Sequence, residues 1–345
     1  MRFIQRLLAA FTLLLTMLVS AALILHIRFL SNAIDEGLVR GRRTLSTVRG
    51  RAEQNVSNVA LFLSNLTLLP SGRQYRIPVS VIIENHEVAR PHQRGLADAL
   101  MIQEFLVEGF ISRFNAIYDL SDLPHVIGPV RSLRPYFIDG ALPWTNLMLF
   151  AGGSPQAFER LEELGVPAVN GLRFPDEFVR DEEVPEPHNL FLIKEGIETL
   201  TEGKALEPIA WPPYSIGALQ SGSGARVIRL DFLSPLHDIE YRYDHFSQGY
   251  TRTNGGVVSD AQPNSVLILE EPVTEIGELG RLRIDLQGKG RALLFRNGTV
   301  QRGFWQKAER QSPFLFEDLE GNPMVLARGQ TWITVLPMLE RVSWD

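Results

Sequence analysis

The sequence predicts an α+β protein: an N-terminal transmembrane signal-anchor over residues 1–30, a helical stalk over 31–74, a mixed α/β domain over 75–207, a linker over 208–224 and a predominantly antiparallel β-rich domain over 225–345. Three observations carry that prediction. An uncharged apolar run opens the chain, strand-like and helical patterns mix through its middle, and short strands with hairpin turns fill its end. A chain of 345 residues, 45% of them hydrophobic, has room for about two domains of ordinary size and is too apolar for general disorder.

Leu7 to Leu25 reads LLAAFTLLLTMLVSAALIL, 19 residues without a charge, with Arg2 and Arg6 before it and His26 and Arg28 after it. At 1.5 Å per residue the run reaches about 28 Å, enough for a bilayer core. A cleaved signal peptide competes, with Val19-Ser20-Ala21 as a small-residue cleavage site, but the apolar text continues past it as Ala22 to Leu25, which favours a retained anchor. Arg2 and Arg6 place the N-terminus in the cytoplasm, against Arg28, Arg40, Arg42, Arg43 and Arg49 on the far side. An N-terminal signal-anchor commonly exports the chain on its C-terminal side, so the expected product is a single-pass membrane protein with an extracytoplasmic body.

Charge divides along the same line. Residues 1–79 hold 10 Arg against Asp35, Glu36 and Glu53, a net of +7, which leaves −13 for the rest of a chain whose total is −6. An acidic body is a poor match for a phosphate backbone, so nucleic acid is not an expected partner. The basic stalk, Ser31 to Leu69, could also touch anionic lipid headgroups, although a solvated helix face explains such a run equally simply. With no cysteine, disulfides, thiolate metal sites, thiol catalysis and a lipidated cysteine are all excluded.

After the break at Pro70-Ser71-Gly72, Tyr75 to Ile83 reads as a strand, Met101 to Phe110 as a helix, Leu147 to Ala151 as a buried strand and Pro155 to Leu164 as a helix ended by Gly165. The Pro- and Gly-rich passage Pro208 to Gly224 is the natural boundary. Beyond it, strands are expected at Val227–Phe232, Ile239–Tyr243, Ser265–Leu269, Arg281–Leu286, Ala292–Arg296 and Trp332–Leu336, with turns at Asn297-Gly298 and Glu320-Gly321-Asn322.

Five polar clusters are candidates for chemistry. Glu84-Asn85-His86 with Arg90-Pro91-His92-Gln93 comes after a strand, where functional loops often lie, although polar loops are also the ordinary case. Glu104 and Glu108, four apart, would share one face of the expected helix, suiting proton transfer or cation binding, unless Arg113 neutralises them or they are a solvated edge. Arg131-Ser132-Leu133-Arg134 lies between Pro129 and Pro135; its guanidinium groups suit a carboxylate or phosphate ligand and equally suit the acidic pair. Gly152-Gly153-Ser154-Pro155 opens a helix after a strand: Ser154 is a natural N-cap, and the two glycines are a moderate anion-site signal without a P-loop lysine. Finally, His188-Asn189 could serve as an acid, a base or a ligand contact, although a lone histidine is more often structural. No HExxH, GxSxG or EF-hand spacing occurs, so no metal or cofactor is expected.

Taken in order, the segments IIENHEVARPHQRGL (82–96), EFLVEGFISRFNAIY (104–118), IGPVRSLRPYFIDGA (127–141), AGGSP (151–155) and PHNLF (187–191) resemble the YerB-like bacterial lipoprotein family, which pairs two domains of unknown function. IEYRYDHFSQGYTR (239–252), GKGRALLFRNGTVQRGFWQK (288–307) and GQTWITVLP (329–337) resemble its second domain, so the likeness spans 75–340. The sequence departs from the family pattern at Leu100, Phe110 and Phe150-Ala151, and its apolar run replaces the usual lipidated cysteine. The resemblance implies an extracytoplasmic, membrane-tethered protein and supplies no activity. It also implies that Asn85, Arg90, Glu104, Glu108, Arg113, Arg131, Ser132, Arg134, Gly152, Gly153, Ser154, His188 and Asn189 occupy motif positions.

The leading expectation is a cell-envelope binding module in which Asn85, Arg90, Arg113, Arg131, Ser132, Arg134, Asn189 and the Gly152–Ser154 backbone hold an anionic ligand, a wall peptide carboxylate or an anionic glycan. The alternative is an envelope hydrolase or transferase with Glu104 or Glu108 and His188 as acid and base. A third is a protein-interaction scaffold presenting Trp305 or Trp332, residues more often found in cores.

Overall fold

The computed structural model describes residues 74–217, 222–232, 234–277 and 279–345. By compactness the chain divides between Leu69 and Pro70, and all of the described residues belong to the second unit. The expected transmembrane run and stalk lie outside the described residues. Among the described residues no helix is long and apolar enough to cross a membrane.

Along the chain the strands are β1 (Gln74–Arg76), β2 (Pro78–Glu84), β3 (Met101–Leu106), β4 (Ser112–Asp119), β5 (Val126–Ile127), β6 (Met148–Phe150), β7 (Ala168–Asn170), β8 (Phe178–Arg180), β9 (Leu190–Ile193), β10 (Ile209–Trp211), β11 (Ser223–Gly224) and β12 (Val227–Leu230). They continue as β13 (Ile239–Asp244), β14 (Gly249–Asn254), β15 (Val257–Val258), β16 (Ser265–Glu270), β17 (Val273–Ile276), β18 (Arg281–Ile284), β19 (Gly288–Arg296), β20 (Thr299–Lys307), β21 (Leu315–Asp318), β22 (Thr331–Leu336) and β23 (Val342–Trp344). Among the described residues three α-helices accompany them: α1 (Pro135–Ala141), α2 (Pro155–Leu164) and α3 (Lys194–Thr201). The fold is therefore β-rich with few helices.

One mixed sheet of eleven strands runs through both halves of the sequence, in the order β11-β20-β19-β16-β22-β3-β4-β2-β6-β7, with β21 also on β20. The seam is the parallel pair of β22 with β3, Thr331 to Thr334 facing Met101 to Glu104. β22 is also parallel to β16, so the second half is not antiparallel throughout. A second sheet, β15-β14-β13-β12-β23, is wholly antiparallel. The Pro- and Gly-rich passage supplies strands of its own, β10 pairing with β1 and β11 with β20.

The expected helix over Met101 to Phe110 is a strand, β3, followed by a single 3-10 turn at Glu108–Phe110. Every residue of β3 is buried. With both faces covered, Met101 to Leu106 shows no period-two alternation, and its apolar residues at 101, 102, 105 and 106 fit helical spacing as well as a strand. The correction separates Glu104 from Glu108: they do not share a helix face. Elsewhere the local signals hold. α2 spans Pro155–Leu164, with Ser154 accepting the Ala157 N–H and Gly165 in the left-handed conformation at its end.

The hairpin between β19 and β20 turns through Asn297 and Gly298, both at positive φ (52° and 68°), as a type I′ turn requires. Further along β20, Gly303 lets β21 approach: a Cβ there would stand 1.9 Å from the Glu317 carbonyl oxygen. Gly303→Val should push β21 off the sheet edge and lower the unfolding free energy by roughly 1–3 kcal/mol in urea titrations. Gly224→Ala, where a Cβ meets nothing within 4 Å, should stay within about 0.5 kcal/mol of the unaltered chain.

Candidate functional site

The site begins where β2 ends. Glu84 N–H donates to Pro129 O and Arg131 N–H to Ile82 O, which docks the 128–134 loop along the strand end. The same loop exchanges Leu133 N–H to Gly152 O and Ser154 N–H to Leu133 O with the glycine motif, and Val130 N–H to Leu190 O with the start of β9. Backbone pairing on three sides thus carries Arg131 to Glu84 and brings His188, just before β9, beside both.

Glu84 is buried, and its Oε2 lies 2.7 Å from Arg131 Nε and 2.9 Å from His188 Nδ1. Arg131 Nε sits off the line of a hydrogen bond despite that closeness, so the contact is electrostatic rather than directed. His188 can donate from Nδ1 to the carboxylate, which fixes its ring, and the ring stacks on His86 with centroids 5.0 Å apart.

Next to this group, Arg134 forks onto Glu108 through Nε and Nη2 at 2.7 and 2.8 Å. Burial pushes the Glu108 carboxyl up, but the Arg134 hydrogen bonds and charge, with Arg113 adding to them, outweigh it and hold the group below its usual range. Arg113, directly across from Glu84 in the β2–β4 register, donates to Ser132 O at 2.7 Å while its buried Nε has no partner. Burial first, and then the neighbouring Arg134, bring Arg113 down to about 10.

Glu104 belongs elsewhere. It is fully buried at the seam, where Oε1 accepts from Ser112 Oγ (2.6 Å) and Arg252 Nη2 (2.7 Å), and Oε2 from Trp332 Nε1 (2.9 Å) and Thr334 Oγ1 (3.2 Å). The Arg252 guanidinium lies 4.6 Å from the Trp332 ring centre and 5.2 Å from that of Phe114. Asn85 extends the network, donating to Ser112 Oγ and to Asn254 Oδ1 at 2.7 Å each. Arg90 closes it: Nε contacts Asn85, Nη1 donates to Leu236 O, and Nη2 lies 2.7 Å from His237 Nδ1. Burial and the nearby Arg252 bring Arg90 down to about 10.

The glycine motif is largely spoken for. Gly152 N–H donates to Asn170 Oδ1 at 2.9 Å, Ser154 N–H to Leu133 O, and Ser154 Oγ caps α2. Gly153 stands beside Leu133, with which it forms a bridge. Asn189 is buried and accepts from Arg180 Nη1 at 2.6 Å.

Of the residues singled out in the sequence, the structure gathers Glu108, Arg113, Arg131, Ser132, Arg134 and His188 around one strand end, with Gly152 to Ser154 along the same loop. It sends Glu104, Asn85 and Arg90 into the seam. The sequence reading passed over Glu84 as an individual site residue, and over Arg252 and Asn254 altogether. For the latter two a signal existed: Tyr250, Arg252 and Asn254 alternate along β14 and are buried, whereas Thr251 and Thr253 between them are only partly so.

These features define a class: a β-rich protein of two sequence halves sharing one sheet, with an arginine-rich polar site on the first. The chain belongs to the family described as "Protein of unknown function (DUF3048)", its N-terminal domain model matching residues 64–207 and its C-terminal domain model residues 228–333. It is 30% identical over 284 residues to the "Putative lipoprotein YerB" of Bacillus subtilis, covering 78% of this chain and 83% of that protein. The crystal structure of YerB from Bacillus subtilis superposes with a TM-score of 0.71 at 31% identity, covering 79% of this chain and 94% of that one. The YerB-like resemblance read from the motifs is thereby upheld.

The fork between Arg134 and Glu108 makes a pH prediction. A carboxyl depressed on folding contributes stability above its unfolded pKa, about 4.3, and loses it as pH falls through the folded value. Arg134→Gln should therefore cost about 1–2 kcal/mol at neutral pH in chemical denaturation, and the gap to the unaltered chain should narrow as pH falls below the unfolded value.

Proposed function

We propose that this is an envelope-associated protein, held to the membrane by the Leu7–Leu25 run, whose site around Arg113, Arg131 and Arg134 binds a carboxylate-bearing envelope ligand such as a wall peptide. One observation carries the reading: three guanidinium groups share the strand end with only two carboxylates, Glu84 and Glu108, and Arg113 keeps a buried Nε without an acceptor. An anion placed there would relieve the mutual repulsion of Arg113 and Arg134 and supply the missing acceptor. The tether has two supports, the length of the uncharged run and a relative described as a lipoprotein.

A second reading has its own support. Glu84 orients His188 as a carboxylate orients a catalytic imidazole, which favours a hydrolase or transferase with His188 as general base and Arg131 beside the developing charge. Its carboxylate partner is Glu84 rather than Glu104 or Glu108.

The two readings part in one experiment. Purified full-length chain in detergent should bind soluble wall-peptide fragments in a salt-sensitive way, and Arg131→Gln with Arg134→Gln should weaken binding about tenfold or more. Glu84→Gln should leave that binding within a few-fold. Turnover of the fragments that disappears in Glu84→Gln would favour the catalytic reading, and binding indifferent to both arginines would remove the first.

A further inference from the structure

A cavity of about 340 Å³ lies where the chain leads into β3 and β22, and four separate stretches of chain build it. Arg76 comes from β1, Leu100 from the lead into β3, Trp211 from the end of β10 with Pro212 and Ile216 just after it, and Arg328 and Gln330 from the lead into β22. Its size suits a small ligand, and its position where separate stretches meet is where ligand sites commonly form.

One cationic group on this wall is unspent. Arg328 is exposed and has no partner among the described residues, whereas Arg76 at the same cavity is already paired with Asp119. Gln330 is occupied with the chain itself, donating through Nε2 to the Leu96 and Ala99 carbonyl oxygens, both at 2.8 Å. A ligand complementary to this wall carries an anion for Arg328 and an apolar body for Trp211, Pro212 and Ile216. Phosphate alone lacks the second feature, and a hydrocarbon lacks the first.

We infer that this cavity is a second ligand site, separate from the arginine site, for a small carboxylate with an apolar or aromatic body. Its carboxylate pairs with Arg328 and its apolar body lies against Trp211.

Calorimetric titration of the full-length chain in detergent tests the site with three probes. N-benzoylglycine should bind saturably at one site, while N-benzoylglycinamide, which lacks the charge, and N-acetylglycine, which lacks the ring, should bind about tenfold more weakly or worse. Arg328→Gln, at an exposed position, should make the acid and the amide equivalent. Ala97→Phe, which places a ring into the cavity from its exposed rim, should abolish binding of both. No saturable binding at millimolar concentration, equal binding of acid and amide to the unaltered chain, or binding that survives Ala97→Phe would overturn the inference. So would binding lost in Arg131→Gln instead, since that would put the ligand in the arginine site.

Discussion

The ion pair between Glu104 and Arg252 is the constraint on which the rest of the molecule depends. Its members lie 148 residues apart, one on β3 of the first half and the other on β14 of the second, and both are sealed from solvent. A charge so buried is tolerated only when every lone pair and donor near it is used. Here Ser112, Trp332 and Thr334 complete the carboxylate, and Trp332 and Phe114 face the guanidinium with their π-clouds. Since β22 must lie between β16 and β3 to bring Trp332 and Thr334 to Glu104, the pair also fixes the seam of the central sheet.

From that seam the polar positions sort themselves. β2, β3 and β4 run side by side, so residues at their ends either turn inward to the network, as Asn85 does, or outward to the strand end, as Glu84 and Arg113 do. Adjacent residues Glu84 and Asn85 thus serve opposite purposes, one gathering Arg131 and His188 and the other tying β2 to β14. The 128–134 loop is stapled to β2, to the glycine motif and to β9 by main-chain hydrogen bonds, which is why its arginines keep their places without a helix beneath them.

How much of this could be read from the sequence depended on whether the signal was local. Ser154, Pro155 and Gly165 announced α2 because capping and left-handed termination need only the residues at the helix ends, and Asn297-Gly298 announced its hairpin for the same reason. β3 was illegible as a strand because one of its neighbours, β22, is distant in sequence and its two faces are both buried, which erases the alternation a strand would otherwise show. The supposed acidic pair came from that misreading. With β3 extended, Glu104 sits in the sheet interior and Glu108 past its end, where Arg134 reaches it. The link of Arg131 and His188 to Glu84 likewise required knowing that residues 84, 131 and 188 meet through three separate backbone pairings.

The central claim is that Glu104 and Arg252 act as one unit joining the two halves, and a double-mutant cycle tests it most directly. Glu104→Gln and Arg252→Met should each lower the unfolding free energy by about 3–5 kcal/mol, because each strands a buried partner, while the double substitution should cost about 2 kcal/mol or more less than their sum. Single losses that add to within about 0.5 kcal/mol would contradict the account and place the joining of the halves in the sheet pairing alone.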